Sequence, residues 1–177
     1  QQSYLAIGYE HDMEWSPKNS MIVQEIGEAL QIELINTIRE KLGGTYSPMM
    51  EMAANREPKP SYTLFILISC SPDNTDLLSN AVFDILKNFQ KNGPSAETLD
   101  KVKKQMINDH ETSLKRNNMW LSYISGKYYY GDDINSINNF SERVNSVSIT
   151  DIVDFLQKNF DVDHYIKMYL YPESMKK

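Results

Sequence analysis

The sequence has few of the residues that metal chemistry requires. It contains three histidines, His11, His110 and His164, and no two of them lie within five positions of each other. A zinc hydrolase needs two imidazoles on one helical face, a third ligand and a carboxylate base. His110-Glu111 begins like a His-Glu-x-x-His helix, but position 114 is Leu. The sequence therefore predicts no zinc site, and we expect His110 to be a packing residue and the other two histidines to lie at the surface.

The sequence is also poor in cysteine, in long apolar runs and in clustered positive charge. Its single cysteine, Cys70, ends the apolar run of residues 64–70, which indicates a buried small side chain and excludes an internal disulfide. No run of about eighteen apolar residues is present, so we expect no membrane span. Eighteen Lys and Arg face twenty-four Asp and Glu, and this net charge of −6 argues against nucleic acid as a partner.

The length of 177 residues suits one domain with a sizeable core, so the sequence predicts a single domain over residues 1–177. The chain opens directly in a strand-like segment, residues 3–9, without an initiator Met or an apolar leader. We therefore expect a piece of a longer protein. The sequence does not indicate its compartment, and a periplasmic or other extracytoplasmic location would require a bacterial, secreted parent.

The apolar residues follow strand-like and helix-like spacing in turn. Strand patterns cover residues 3–9, 45–54, 61–70 and 165–171, and the first has apolar residues on both faces, as expected of a strand covered on two sides. A long helix begins near Ser16-Pro17, and further helices fill much of the region from residue 72 to residue 160. This order predicts an α+β fold with a mixed or antiparallel sheet of about four strands, covered on one face by helices. The main apolar stripe of the long helix is Ile22, Val23, Ile26, Ala29, Leu30, Leu34 and Ile38.

Two glycines, Gly43 and Gly44, mark the end of the long helix and the start of the next strand. Gly43 can close a helix in the left-handed conformation because it has no Cβ. The break places Arg39 in the last helical turn and Tyr46, seven positions later, at the start of the extended run. Two interpretations follow. In the first, Arg39 complements the negative end of the helix dipole and Tyr46 simply begins a strand. In the second, both side chains project from the junction toward a ligand.

The junction resembles the C-terminal-type domain of the pitrilysin, insulysin and processing peptidase (M16) family of zinc metallopeptidases. That domain reads approximately Arg-Glu-x-x-Gly-x-x-Tyr-Ser at its helix-to-strand junction, and Arg39, Glu40, Gly43, Tyr46 and Ser47 all fit. The order of strands and helices also resembles the M16 α/β roll over nearly the whole chain. The resemblance implies that Arg39 and Tyr46 hold the substrate backbone near the scissile bond, opposite a zinc-carrying half.

The resemblance further implies a division of labour between domains. This chain lacks the family's His-x-x-Glu-His motif, so it should bind no cofactor and be inactive alone. Zinc is expected in a partner M16 domain, either in the same chain or in a separate subunit, with a peptide as substrate. The leading hypothesis is therefore a substrate-binding, non-zinc domain of a zinc metalloendopeptidase. The alternatives are a catalytically silent scaffolding or assembly relative of the same fold, and an unrelated α+β binding domain.

Overall fold

The structure is a computed structural model that describes residues 2–42 and 48–175, without the side chains of residues 39–42 and 175. Its strands are β1 (Ser3–Asp12), β2 (Met49–Asn55), β3 (Ser61–Cys70) and β4 (Ile166–Leu170). Its α-helices are α1 (Pro17–Leu42), α2 (Thr75–Asn92), α3 (Ala96–Ser113), α4 (Asn117–Tyr130), α5 (Phe140–Ser146) and α6 (Ile149–Asn159). Short 3-10 turns cover Pro72–Asn74, Ile134–Ile137 and Glu173–Met175.

The four strands form one antiparallel sheet in the order β2-β3-β1-β4. Leu5 lies opposite Ile68 and Ile7 opposite Ile66, so the most apolar strand, β3, pairs with the first strand at the centre of the sheet. β4 pairs with β1 only as far as Gly8, and β1 continues beyond it. β2 and β4 are therefore the two edges of the described sheet.

Helices cover one face of this sheet, as the sequence predicts. Helices α1 and α2 pack on the strands, and α3, α5 and α6 pack against α1 and α2. Alternate side chains of β1 and β3 point into this core, as period-two burial requires. The predicted stripe of α1 is buried throughout, whereas Ile32 and Ile35 are half-buried, as expected for residues outside it. The buried strand residues are Leu5, Ile7, Tyr9, Tyr62, Leu64, Ile66, Ile68 and Cys70.

The second face of the sheet is not covered by the described residues. The sequence pattern of residues 3–9 predicts a first strand covered on both sides, and the described chain contradicts this. Tyr4 of β1 and Phe65 of β3 are exposed, and Ile166 of β4 is 67% exposed. Exposed apolar side chains grouped on one face in this way are uncommon on monomeric proteins.

Most predicted element boundaries shift by only a few residues. Ser95 begins α3 because its hydroxyl accepts from the Thr98 amide at 3.0 Å. The helical region predicted from residue 72 onward begins with a 3-10 turn, so α2 begins only at Thr75. β2 begins at Met49 in the described chain, and residues 43–47, where the sequence predicts the glycine break and the start of this strand, lie outside the described residues.

Candidate functional site

The described residues on either side of the junction fix how α1 and β2 lie together. The amide Nε2 of Gln31 donates to the Pro48 carbonyl oxygen at 3.1 Å. One helical turn earlier, Gly27 faces Met52, and a Cβ added at Gly27 would lie 3.1 Å from the Met52 Cβ. Glycine therefore permits a close approach of helix and strand here. α1 runs antiparallel along β2, and the junction joins the C-terminal end of α1 to the start of this edge strand.

The two residues that the resemblance assigns to substrate are placed differently. Arg39 belongs to α1, three residues before its last residue, but its side chain lies outside the described part of the structure. Its neighbour Ile38 is fully buried, which fixes the rotation of the helix at this point. Tyr46 lies outside the described residues altogether. That Arg39 and Tyr46 meet at one ligand therefore stays a prediction.

The edge strand β2 has a free side in the described sheet. It pairs with β3 along residues 49–55, and its other side has no strand partner among the described residues. A shallow pocket of about 270 Å³ lies between β2, α1 and α3, with Glu28, Gln31 and Glu51 in its lining. The buried Oε1 of Gln31 has no hydrogen-bond partner in the described chain. An unpaired strand edge can bind an extended peptide through main-chain hydrogen bonds.

The described residues do not assemble a metal site. Within residues 2–42 and 48–175, no three His, Cys, Asp or Glu side chains are grouped so that they could hold a metal ion. The rings of His11 and His164 lie 6.1 Å apart, centroid to centroid, and that of His110 stacks on Phe140 at 4.0 Å. Burial lowers the pKa of both His11 and His110, which favours neutral packing rings. His11 is half-buried against Phe160, so the surface position predicted for it is wrong.

Comparison with known families identifies the chain. The family model described as "Peptidase M16 inactive domain" matches residues 1–106. This chain belongs to the M16 inactive-domain family. The match includes α1, the junction and the first three strands, which are the elements that build the candidate edge. None of the helices in the described part of this M16 domain has the length and apolar character that a membrane crossing requires.

This chain spans only part of several proteins that are similar to this M16 domain. A curated relative, the chloroplastic stromal processing peptidase of Pisum sativum, is 24% identical over 100 residues, which are 56% of this chain and 8% of that protein. The periplasmic protease PqqL of Escherichia coli has the same fold, with a TM-score of 0.81 and 14% identity over 97% of this chain and 19% of that one. A peptidase M16 inactive domain from Pseudomonas fluorescens gives a TM-score of 0.78 at 16% identity, over 95% of this chain and 40% of that one.

The sequence analysis missed one buried ionisable group in the M16 domain, Glu25 of α1. Its side chain has no exposed surface, and neither carboxylate oxygen has a hydrogen-bond partner in the described chain. Burial raises its pKa to about 7, although the nearby Lys103 acts in the opposite direction. The sequence could have revealed the burial of Glu25, because this residue lies three positions after Ile22 and four before Ala29, on the buried face of α1.

Proposed function

We propose that residues 1–177 form the substrate-binding, non-zinc domain of an M16-type zinc metalloendopeptidase. The observation that supports this function best is the free edge of β2, which begins directly after the junction that carries Arg39 and Tyr46. Membership of the inactive-domain family supports the same division of labour. The zinc-carrying partner is a second M16 domain, either fused to this one or a separate subunit.

The edge strand supplies the first step, which is to hold a substrate in an extended conformation. A peptide aligned with β2 would exchange main-chain hydrogen bonds with it, and these bonds do not depend on the peptide's sequence. Side-chain pockets along the edge would then decide which sequences fit.

The junction supplies the second step, which is stabilisation of the charge that develops during cleavage. The guanidinium of Arg39 and the hydroxyl of Tyr46 would donate to the carbonyl oxygen of the scissile bond. Donors placed where negative charge develops stabilise the transition state more than the ground state. Zinc, if held by the partner domain, would supply the activated water. The role of this domain is thus to position the peptide and polarise its carbonyl group.

The test is to separate the two domains of the natural protein and recombine them. Each would be produced alone, with the zinc-carrying domain recognised by its His-x-x-Glu-His motif, and cleavage of an unstructured fluorogenic peptide would be measured. We expect zinc only on the partner domain, negligible cleavage by either domain alone, and recovery of cleavage on mixing or on fusion. Cleavage by the partner domain alone at the rate of the intact protein would contradict the proposal.

A scaffolding role predicts a different outcome from the same material. A domain that serves only assembly would restore cleavage equally well when Arg39 and Tyr46 are substituted, because only its fold would matter. Recombination with the Tyr46→Phe domain therefore distinguishes the two functions. We expect this variant to bind the partner domain as tightly as the parent and to restore little activity.

A further inference from the structure

Glu25 of α1 is a buried acid without a partner in the described part of the chain. Its side chain has no exposed surface, and neither carboxyl oxygen forms a hydrogen bond there. Carboxyl groups are rarely fully buried unless they are paired, because burial removes their contacts with water. An unsatisfied buried carboxyl group therefore points to a role other than packing.

The opposite charge that acts on Glu25 belongs to Lys103 of α3. Burial raises the pKa of Glu25, and the positive charge of Lys103 opposes this effect by favouring the ionised carboxylate. The Lys103 ammonium donates to the carbonyl oxygen of Asn145 at 3.4 Å and to that of Val147. An ammonium group has three N–H donors, so Lys103 can still donate to one more acceptor.

Asp151 of α6 is the second charged group that acts on Glu25, and it raises the pKa of Glu25. Hydrogen bonds from Lys18 and Ser148 lower the pKa of Asp151 itself to about 2. α1 also packs on α2, α5 and β2, but the charges that act on Glu25 from its packed neighbours are those of Lys103 and Asp151. Asp151 is already ionised where Glu25 titrates, so Glu25 is the carboxyl group that changes charge near neutral pH.

The connection between α5 and α6 is held unequally at its two ends. α6 begins with a capping box formed by Ser148 and Asp151. α5 has seven residues, and its first turn has no side-chain cap in the described chain. At its other end the Val147 amide donates to the Val144 carbonyl oxygen at 3.4 Å, which is longer than a usual backbone hydrogen bond. The two bonds from Lys103 therefore matter most to the end of α5.

We propose that Glu25 and Lys103 form a pH-dependent latch on the end of α5. When Glu25 is protonated, Lys103 holds the carbonyl oxygens of Asn145 and Val147, which is the arrangement in the structure. When Glu25 releases its proton to solvent, the ammonium moves toward the carboxylate and gives up the weaker bond, to Asn145. The attraction between two opposite charges in a buried site exceeds that between a charge and a carbonyl dipole at 3.4 Å. The latch therefore opens as the pH rises, and α5 loosens.

The latch goes beyond the proposed substrate-binding function and is independent of it. Its residues belong to α1, α3 and the end of α5, and it needs neither Arg39 nor Tyr46. Burial raises the pKa of Glu25 to about 7, so the change of charge falls near neutral pH. The domain would thus respond to pH through one short helix while the remainder of the fold stays intact.

Hydrogen–deuterium exchange of the intact natural protein, read by mass spectrometry, tests the latch. Gln has the shape of Glu but cannot ionise, so Glu25→Gln should keep the latch closed at every pH. Comparing the parent with this variant at one pH removes the intrinsic effect of pH on exchange. We expect equal exchange of α5 at pH 5, and exchange about tenfold faster in the parent at pH 8, because one hydrogen bond from a charged donor is lost. The same ratio of rates at both pH values would overturn the proposal.

Substitution of Lys103 separates the latch from a general loss of stability. In Lys103→Met the end of α5 lacks its donor, so α5 should exchange fast at pH 5 and at pH 8, and adding Glu25→Gln should change neither rate. A ratio that persists without Lys103 would show that the charge of Glu25 acts on stability alone, which would also overturn the proposal. Glu28→Gln, at an exposed position of the same helix, should match the parent throughout. Domain recombination is a separate experiment, so the latch and the substrate-binding function can fail independently.

Discussion

Replacement of Glu25 by Gln should change the stability of the M16 domain in a way that depends on pH. The carboxyl group is fully buried and unpartnered in the described chain, and its pKa is about 7, compared with 4.5 for an exposed glutamate. A raised pKa means that the folded state holds the proton more tightly than the unfolded state does. The free energy of unfolding should therefore fall as the pH rises from about 4.5 to about 7, and this loss should be complete above pH 7.

The size of the effect follows from the difference between the two pKa values. A difference of about 2.5 units, at 1.36 kcal/mol for each unit, corresponds to about 3 kcal/mol of lost stability at pH 8. Gln has nearly the same shape but cannot ionise. Glu25→Gln should therefore resemble the parent at pH 5 and exceed its free energy of unfolding by about 2–3 kcal/mol at pH 8.

Urea unfolding of the 177-residue domain at pH 5 and pH 8, followed by circular dichroism, measures this difference. Glu28→Gln is the matched control, because Glu28 is exposed on the same helix. We expect it to change the free energy of unfolding by less than about 0.5 kcal/mol at either pH. An equal effect of Glu25→Gln at pH 5 and pH 8, or a loss of stability at pH 8, would refute the reasoning.

Three further predictions concern the core, a helix start and the metal. Ile66→Asp should lower the free energy of unfolding by at least about 4 kcal/mol, because Ile66 is 1% exposed in the central strand. Phe65→Asp, on the open face of the same strand, should lower it much less, and urea unfolding midpoints compare the two variants. Ser148→Ala should lower the stability of the domain by about 1 kcal/mol, since the Ser148 hydroxyl accepts a hydrogen bond from the Asp151 amide at 3.1 Å at the start of α6. Thermal unfolding measures this loss, and the conservative Ser148→Thr should retain most of the stability. The isolated domain should bind less than a tenth of an equivalent of zinc by metal analysis, and stoichiometric zinc would contradict the proposed division between domains.

The sequence was sufficient for the core layer of the fold and for the family. Apolar residues alternate along residues 61–70 and recur at helical spacing from Ile22 to Ile38. These patterns predict the buried faces of β3 and α1 directly, because an element that packs against one layer buries its side chains with a single period. The same logic failed for the first strand. The apolar residues on its second face predict burial, whereas the described chain leaves that face open. A sequence pattern cannot tell whether the layer that covers a face belongs to the same domain.

The candidate site was only partly predictable. The Arg39–Tyr46 spacing identifies the junction, but spacing along the chain does not establish that two side chains meet. The free edge of β2 depends on strand order, which arises from long-range pairing with β3 and has no local signal. The half-buried position of His11 likewise depends on Phe160, which is distant in the sequence and adjacent in the fold.

The most direct test of the substrate-binding role is the single-turnover rate of peptide cleavage by the intact protein carrying Tyr46→Phe. This change removes one hydroxyl donor and keeps the ring. If the hydroxyl holds the scissile carbonyl in the transition state, the rate should fall by about a hundredfold or more, equivalent to about 3 kcal/mol, with unchanged thermal stability. Arg39→Lys should also be damaging because an ammonium lacks the planar fork of donors, whereas Tyr128→Phe, at an exposed tyrosine, should have no effect. Parental cleavage rates in both junction variants would contradict the role assigned to Arg39 and Tyr46.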